Sequence, residues 1–204
     1  PYHMCHVSCR ESVELIRRAK AHGLDVTCET APHYFALDYT DIAADDGRFK
    51  MNPPLRSPRD REAIIEGICD GTIDMIATDH APHAQEEKEV ELQYAAFGIV
   101  GLETALALTL TSVVADGTLS LLEAIRKLTQ TPARILGIDT GCLHAGSTAD
   151  VVIFDPEAGW TVNAKDFKSR GKNTPVDGFE LTGKVVATVC WGDVVYGENK
   201  LKRG

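Results

Sequence analysis

The sequence predicts an α/β fold, a parallel sheet laced with helices and followed by a β-rich tail. Between residues 1 and 80, short apolar runs alternate with amphipathic helical patterns, the rhythm of strand–helix–strand units. The run "IDMIATD" is apolar on both alternating faces, as a parallel strand covered by helices requires. From Gly141 the texture changes to short β-rich runs separated by Gly, Asp and Pro. A boundary is therefore expected near 138–142, dividing the chain into units 1–140 and 141–204.

"YHMCHVS" reads as the first strand. Ser8 to Glu11 has the form of a capping box, and Val13, Ile16 and Ala19 make the apolar stripe of a helix that Gly23 stops. "DVTCETAP" is the second strand, closed by Pro32. A long loop follows through "RFKMNPPLRS", where the residue before each proline is pushed to extended backbone. Ser57 as N-cap and Pro58 at the first helical position open the next helix, which ends near Gly71. "IDMIATD" is the third strand, and "AQEEKEVE" after it reads as a solvated, charge-rich loop.

"GIVGLETALALTLTSVVA" then predicts one long apolar helix, and "SLLEAIRKL" and "TPARILGI" shorter ones. "ADVVIFDP", "GWTVNA", "KVVATVCWG" and "DVVYG" are the β runs of the tail. Trp160 and Trp191 carry no site pattern and are expected to pack in the core.

With 44% hydrophobic and 25% charged residues, the chain has the composition of an ordered globular protein. Its net charge of −9 argues against nucleic acid or an anionic membrane as partner. Cysteines at 5, 9, 28, 69, 142 and 190 form no disulfide framework or zinc ribbon, so free thiols in a reducing cytoplasm are expected. No run is long and apolar enough to span a bilayer, and none reads as a signal peptide. The opening "PYHMCHVSC" has no initiator methionine and reads as the interior of a longer protein.

The third strand ends in "TDHAPH". A single Asp at a strand end is usually a turn cap. However, the first strand also finishes with a histidine, His6, and the second leads to His33. Imidazole and carboxylate delivered to one rim of a parallel sheet make the ligand set of hydrolytic divalent ions. In a closed barrel that rim carries the catalytic groups.

"CHVS", "ETAPHYF", "KMNPPLR", "IATDHAPH" and "FGIVGLETALAL", in this order, resemble the bacterial, hydantoinase-like dihydroorotases of the metal-dependent amidohydrolase superfamily. "GSTADVVIFDP" resembles the superfamily's tail. The resemblance implies the C-terminal half of a (β/α)8 TIM-type amidohydrolase barrel, strands six to eight, followed by part of a small β-sandwich. It implies a binuclear zinc site, with His6 a ligand of the second metal and Asp79 a ligand of the first and the general acid/base. Asn52, His83 and the backbone of Phe97 and Gly98 become substrate contacts; His33 stays outside the ligand set. His3 and His22 are expected to be structural or exposed, and His144 to lie in the loop before the tail.

The implied reaction is the reversible cyclisation of N-carbamoyl-L-aspartate to L-dihydroorotate in pyrimidine synthesis. Among cyclic amides of this class, dihydroorotate carries an extra carboxylate, which makes His83 the discriminating residue. The resemblance also implies a homo-oligomer and an aspartate transcarbamoylase partner. A hydantoinase, dihydropyrimidinase or allantoinase, and a non-catalytic structural subunit, remain alternatives. The family's His-x-His pair, its bridging carboxylate and a further His are not found in this chain, which is expected to bind zinc weakly and turn over little by itself.

Overall fold

A computed structural model describes residues 1–197; residues 198–204, the end of the expected second unit, lie outside the described residues. Strands β1 (Tyr2–Met4), β2 (Val26–Thr30) and β3 (Met75–Ile76) pair in parallel, in that order. Helices α1 (Arg10–Ala21), α2 (Pro32–Ala36) and α3 (Pro58–Cys69) lie in the connections. The third strand is shorter than the expected 73–79, but its hydrogen bonding continues beyond it. Ala77 N donates to Thr30 O at 2.9 Å, and Val7 N donates to Glu29 O at 2.9 Å past the end of β1. The chain is thus held in register up to His6 on one side of β2 and close to Asp79 on the other.

The predicted stripe of α1 buries Val13 and Ile16 against Ile64, Ile68 and Ile73, the last three all at 0% exposure. Removing one such side chain from water contributes about 1.5–3 kcal/mol. α3 starts as expected, with Ser57 and Asp60 forming a capping box. The capping box expected at Ser8 does not form. Cys9 is the N-cap, and its side chain caps no backbone N–H. Arg10 N instead donates to Asp60 Oδ1 at 2.9 Å, an acceptor supplied by α3, while Ser8 is buried.

Further differences follow the same pattern of tertiary contacts outweighing local reading. Pro32 closes β2 but also begins α2, whose Pro32, His33, Tyr34 and Phe35 are buried. "AQEEKEVE" contains the short helix α4 (Gln85–Lys88) with a buried lysine. The long helix expected over 98–115 is α5 (Ala105–Thr109) followed by a π-type turn over Leu110–Val114, in which Ala115 N donates to Leu110 O at 2.8 Å. Gly183 faces this turn: a Cβ there would come within 2.3 Å of Leu110 Cδ1.

α6 (Leu121–Leu128) and α7 (Gln130–Leu136) match the expected short helices. Beyond them, β4 (Val151–Thr161), β5 (Glu180–Cys190) and β6 (Asp193–Gly197) form an antiparallel sheet in sequence order. The runs expected as two strands, "ADVVIFDP" and "GWTVNA", supply one strand with a register shift between Asp155 and Gly159. Trp160 packs against a core that joins Tyr34, Met51 and Leu108 to Val162, Phe167 and Leu181. Trp191 is not in the core. It is 80% exposed, at the turn between β5 and β6. No helix among the described residues is long and apolar enough to cross a membrane.

Candidate active site

Just past the ends of β1 and β3, the backbone turns sharply at two non-glycine residues. His6 has φ 57° and Asp79 φ 47°, in the left-handed region that side chains with a Cβ disfavour. Holding such residues there costs on the order of 1–3 kcal/mol each, and such strain gathers at functional sites. Among the described residues one further non-glycine residue is of this kind, Trp191, in the exposed turn of the tail.

The turns aim the two side chains at each other. His6 Nε2 lies 3.7 Å from Asp79 Oδ1, and His33 Nε2 lies 3.9 Å from Asp79 Oδ2. Neither distance is a hydrogen bond. His33 is 2% exposed, and its Nε2 is buried with no hydrogen-bond partner. Burial, with His6 adding to it, pushes the His33 pKa down to about 3, so the ring is neutral. Burial raises the Asp79 carboxyl above its ordinary value; His6 opposes the shift and Glu29 adds to it. A carboxylate with a raised pKa is a better proton acceptor.

Glu29, buried in β2, stands behind His6. One of its oxygens is 3.1 Å from His6 Nδ1 and the other 3.3 Å from His3 Nε2. The approach to His6 Nδ1 is close but poorly aligned for a hydrogen bond, leaving that buried nitrogen without a formal acceptor. His3 Nδ1 is fixed 2.7 Å from Thr27 Oγ1. With Nδ1 turned to a carboxylate, His6 presents Nε2 to the space beside Asp79. A carboxylate beside the second ring nitrogen is what orients metal-binding histidines, and Glu29 stands at that place, 3.1 Å away, without the aligned hydrogen bond.

The other expected residues gather on the chain leaving Asp79. Ala81 N donates to Ile99 O at 2.9 Å, and His80 bridges to Ile99. His83 Nε2 donates to Phe97 O at 2.8 Å. Gly98, at φ 130°, lies so close that a Cβ would meet Ala81 Cβ at 2.5 Å and His83 Nε2 at 3.2 Å. Asn52 is exposed, and Lys50, two residues before it, accepts from Gly98 N at 3.0 Å. Tyr34 donates its hydroxyl to Pro53 O at 2.7 Å. The structure therefore pairs His6 with Asp79, groups His83 with Phe97 and Gly98, and ties the Asn52 segment to that group.

Several residues absent from the sequence reading support the site. Asn173 Nδ2 donates to Gly98 O at 3.1 Å, and its Oδ1 accepts from His83 N at 3.0 Å. His80 Nδ1 accepts from Gly101 N and Leu102 N, both at 3.2 Å. For Glu29 the signal that could have found it is a lone acid inside the second strand. Asn173, 90 residues from His83, left no local signal. His22 and His144 are exposed, and all six cysteines are free.

The chain matches the amidohydrolase family over residues 2–195. It is 48% identical over 200 residues to a dihydroorotase of Bacillus subtilis, covering 98% of this chain and 47% of that protein. It is 50% identical over 196 residues to a dihydroorotase of Geobacter metallireducens, covering 96% of this chain and 46% of that protein. The chain thus spans about half the length of the relatives it matches. Among solved structures, an L-hydantoinase (dihydropyrimidinase) from Arthrobacter aurescens superposes with a TM-score of 0.90 at 36% identity, over 96% of this chain and 45% of that one. A D-hydantoinase (dihydropyrimidinase) from Thermus sp. gives 0.89 at 26% identity, over 96% and 44%.

Proposed function

Because the chain belongs to the amidohydrolase family, we propose that it forms the C-terminal half of a (β/α)8 barrel with part of a β-sandwich, in a zinc-dependent dihydroorotase. Units 1–140 and 141–204 correspond to these two parts. The observation that carries the reading is the pairing of His6 Nε2 and Asp79 Oδ1 at 3.7 Å, each on a strained turn after a parallel strand. The names of relatives near 50% identity support the substrate.

The donor set suits zinc. At 3.7 Å the imidazole nitrogen and the carboxylate oxygen are too far apart to bond each other. They are close enough for both to serve as zinc ligands, whose nitrogen and oxygen bonds run about 2.0–2.2 Å. His6 and Asp79 would hold one member each of the zinc pair, with the remaining ligands coming from the other half of the barrel. When bound, the pair supplies Lewis acidity for the ring carbonyl and a water activated near neutral pH.

In the hydrolytic direction, a carboxylate oxygen of Asp79 takes the proton of the attacking water and passes it to the departing ring nitrogen. In ring closure the same oxygen removes the proton from the carbamoyl nitrogen as that nitrogen attacks the side-chain carboxyl, and returns it to the oxygen that leaves as water. Glu29 keeps His6 in the orientation that leaves Nε2 free. Asn52 meets the amide edge of the ring, the Phe97–Gly98 backbone flanks it, and His83 binds the free carboxylate that simple hydantoins lack. A homo-oligomer and a transcarbamoylase partner belong to the same proposal.

The second reading is a hydantoinase, favoured by the superposition at 36% identity. The two separate in one assay of the full-length, zinc-loaded protein. A kcat/KM for L-dihydroorotate far above that for hydantoin is expected; the reverse preference would remove the role given to His83.

A further inference from the structure

The charge-rich run after Asp79 hides one of the most deeply buried long side chains of the protein. Lys88 is 2% exposed. Its Nζ donates to Ala96 O at 2.7 Å, Gly98 O at 2.8 Å and Lys50 O at 3.0 Å. An ammonium has three N–H donors, and all three are used on neutral carbonyls. Burying a charge is costly unless its hydrogen bonds are met. Burial first, and then Lys50, lower its pKa to about 8, with Asp46 opposing.

The three carbonyls come from two separate segments, and both are segments to which substrate contacts were assigned. Lys50 leads into Asn52; Ala96 and Gly98 bracket Phe97. The same segments are joined by Gly98 N donating to Lys50 O at 3.0 Å, and Lys50 Nζ lies 4.6 Å from the Phe97 ring centroid. The backbone that carries Lys88 is closely packed too: a Cβ on Gly47 would sit 2.3 Å from the Lys88 backbone O. An apolar side chain of equal length would fill the volume and leave the carbonyls without their donor.

We propose that Lys88 is a positioning residue for substrate binding. Its ammonium gathers the carbonyls of Lys50, Ala96 and Gly98 onto one point, and so fixes Asn52 relative to the Phe97–Gly98 backbone. The proposal rests on the substrate-binding roles given above to those three residues. Lys88 touches neither substrate nor metal, so its loss weakens binding and leaves the proton transfer at Asp79 intact.

The test uses the full-length, zinc-loaded protein carrying Lys88→Met. The expected result is a KM for dihydroorotate raised by about tenfold or more with kcat changed less than about threefold. Amide hydrogen exchange should quicken in the segments around Lys50 and Gly98 and not across α1 and α3. Lys88→Ala gives a second arm: propylammonium should lower its KM toward the wild-type value, and neutral propanol should not. A KM within about twofold of wild type in Lys88→Met, or equal rescue by the alcohol, overturns the proposal. If the wild-type protein did not turn over dihydroorotate, the substrate assignment would fall. The exchange comparison would then still decide on Lys88, with unchanged exchange overturning its role.

Discussion

Asp79 and His83 lie four residues apart, yet their loss should read out differently. Asp79→Ala is expected to lower kcat by about 10²–10⁴-fold, the usual worth of a positioned acid/base. His83→Ala should mainly raise KM, and initial-rate kinetics on the full-length protein separate the two. A normal kcat in Asp79→Ala would contradict the mechanism. Glu29→Gln keeps the shape of the side chain behind His6 but removes its charge. Zinc affinity, measured by chelator competition, should fall about 10–100-fold, with the far-UV spectrum unchanged. Strand-ending Asp79 and His6 were legible in the sequence because a charged or imidazole group closing an apolar strand needs a reason. His33 was legible as a strand-end histidine, but not its place 3.9 Å from Asp79, because that depends on where α2 turns.

At the level of the elements, Asp60 serves two helices. It closes the capping box of α3, with Ser57 N at 3.1 Å and Ser57 Oγ at 2.5 Å, and accepts from Arg10 N at the start of α1 at 2.9 Å. Burial works to raise its pKa, but the bonds from Arg10 and Ser57 outweigh it and hold the carboxyl below 3.8. Since the folded value is the lower one, the stabilisation is present above pH 3.8 and is lost as pH falls through the folded value. Asp60→Ala should cost about 1–2 kcal/mol at neutral pH. Chemical denaturation at neutral and strongly acidic pH should show that difference shrink in acid. A pH-independent difference would contradict the assignment. Ser57 and Pro58 announced α3 within a few residues. The cap of α1 could not be read locally, since its acceptor lies 50 residues away.

On the scale of the whole molecule, β1 and β3 are the edge strands of the three-stranded parallel sheet among the described residues, with only a single bridge, His80 to Ile99, beyond β3, and Tyr2 on β1 is 63% exposed. Unpaired strand edges invite association. Residues 1–204 produced alone should therefore self-associate at micromolar concentration, as light scattering would register; a monodisperse monomer would contradict this. The α/β rhythm and the β-rich tail were legible from periodicity. The break of the long helix at Leu110 was not, since the π-type turn lies against β5, where Thr182 N donates to Thr111 Oγ1 at 2.8 Å across 71 residues of sequence.

The proposed function depends most on convergence of the chain segments after β1 and β3 upon a pair of ions. Anomalous diffraction at the zinc edge from crystals of the full-length protein tests it directly. Two peaks are predicted, one about 2.0–2.2 Å from His6 Nε2 and one at the same distance from an Asp79 carboxylate oxygen. Peaks that avoid both residues would contradict the account.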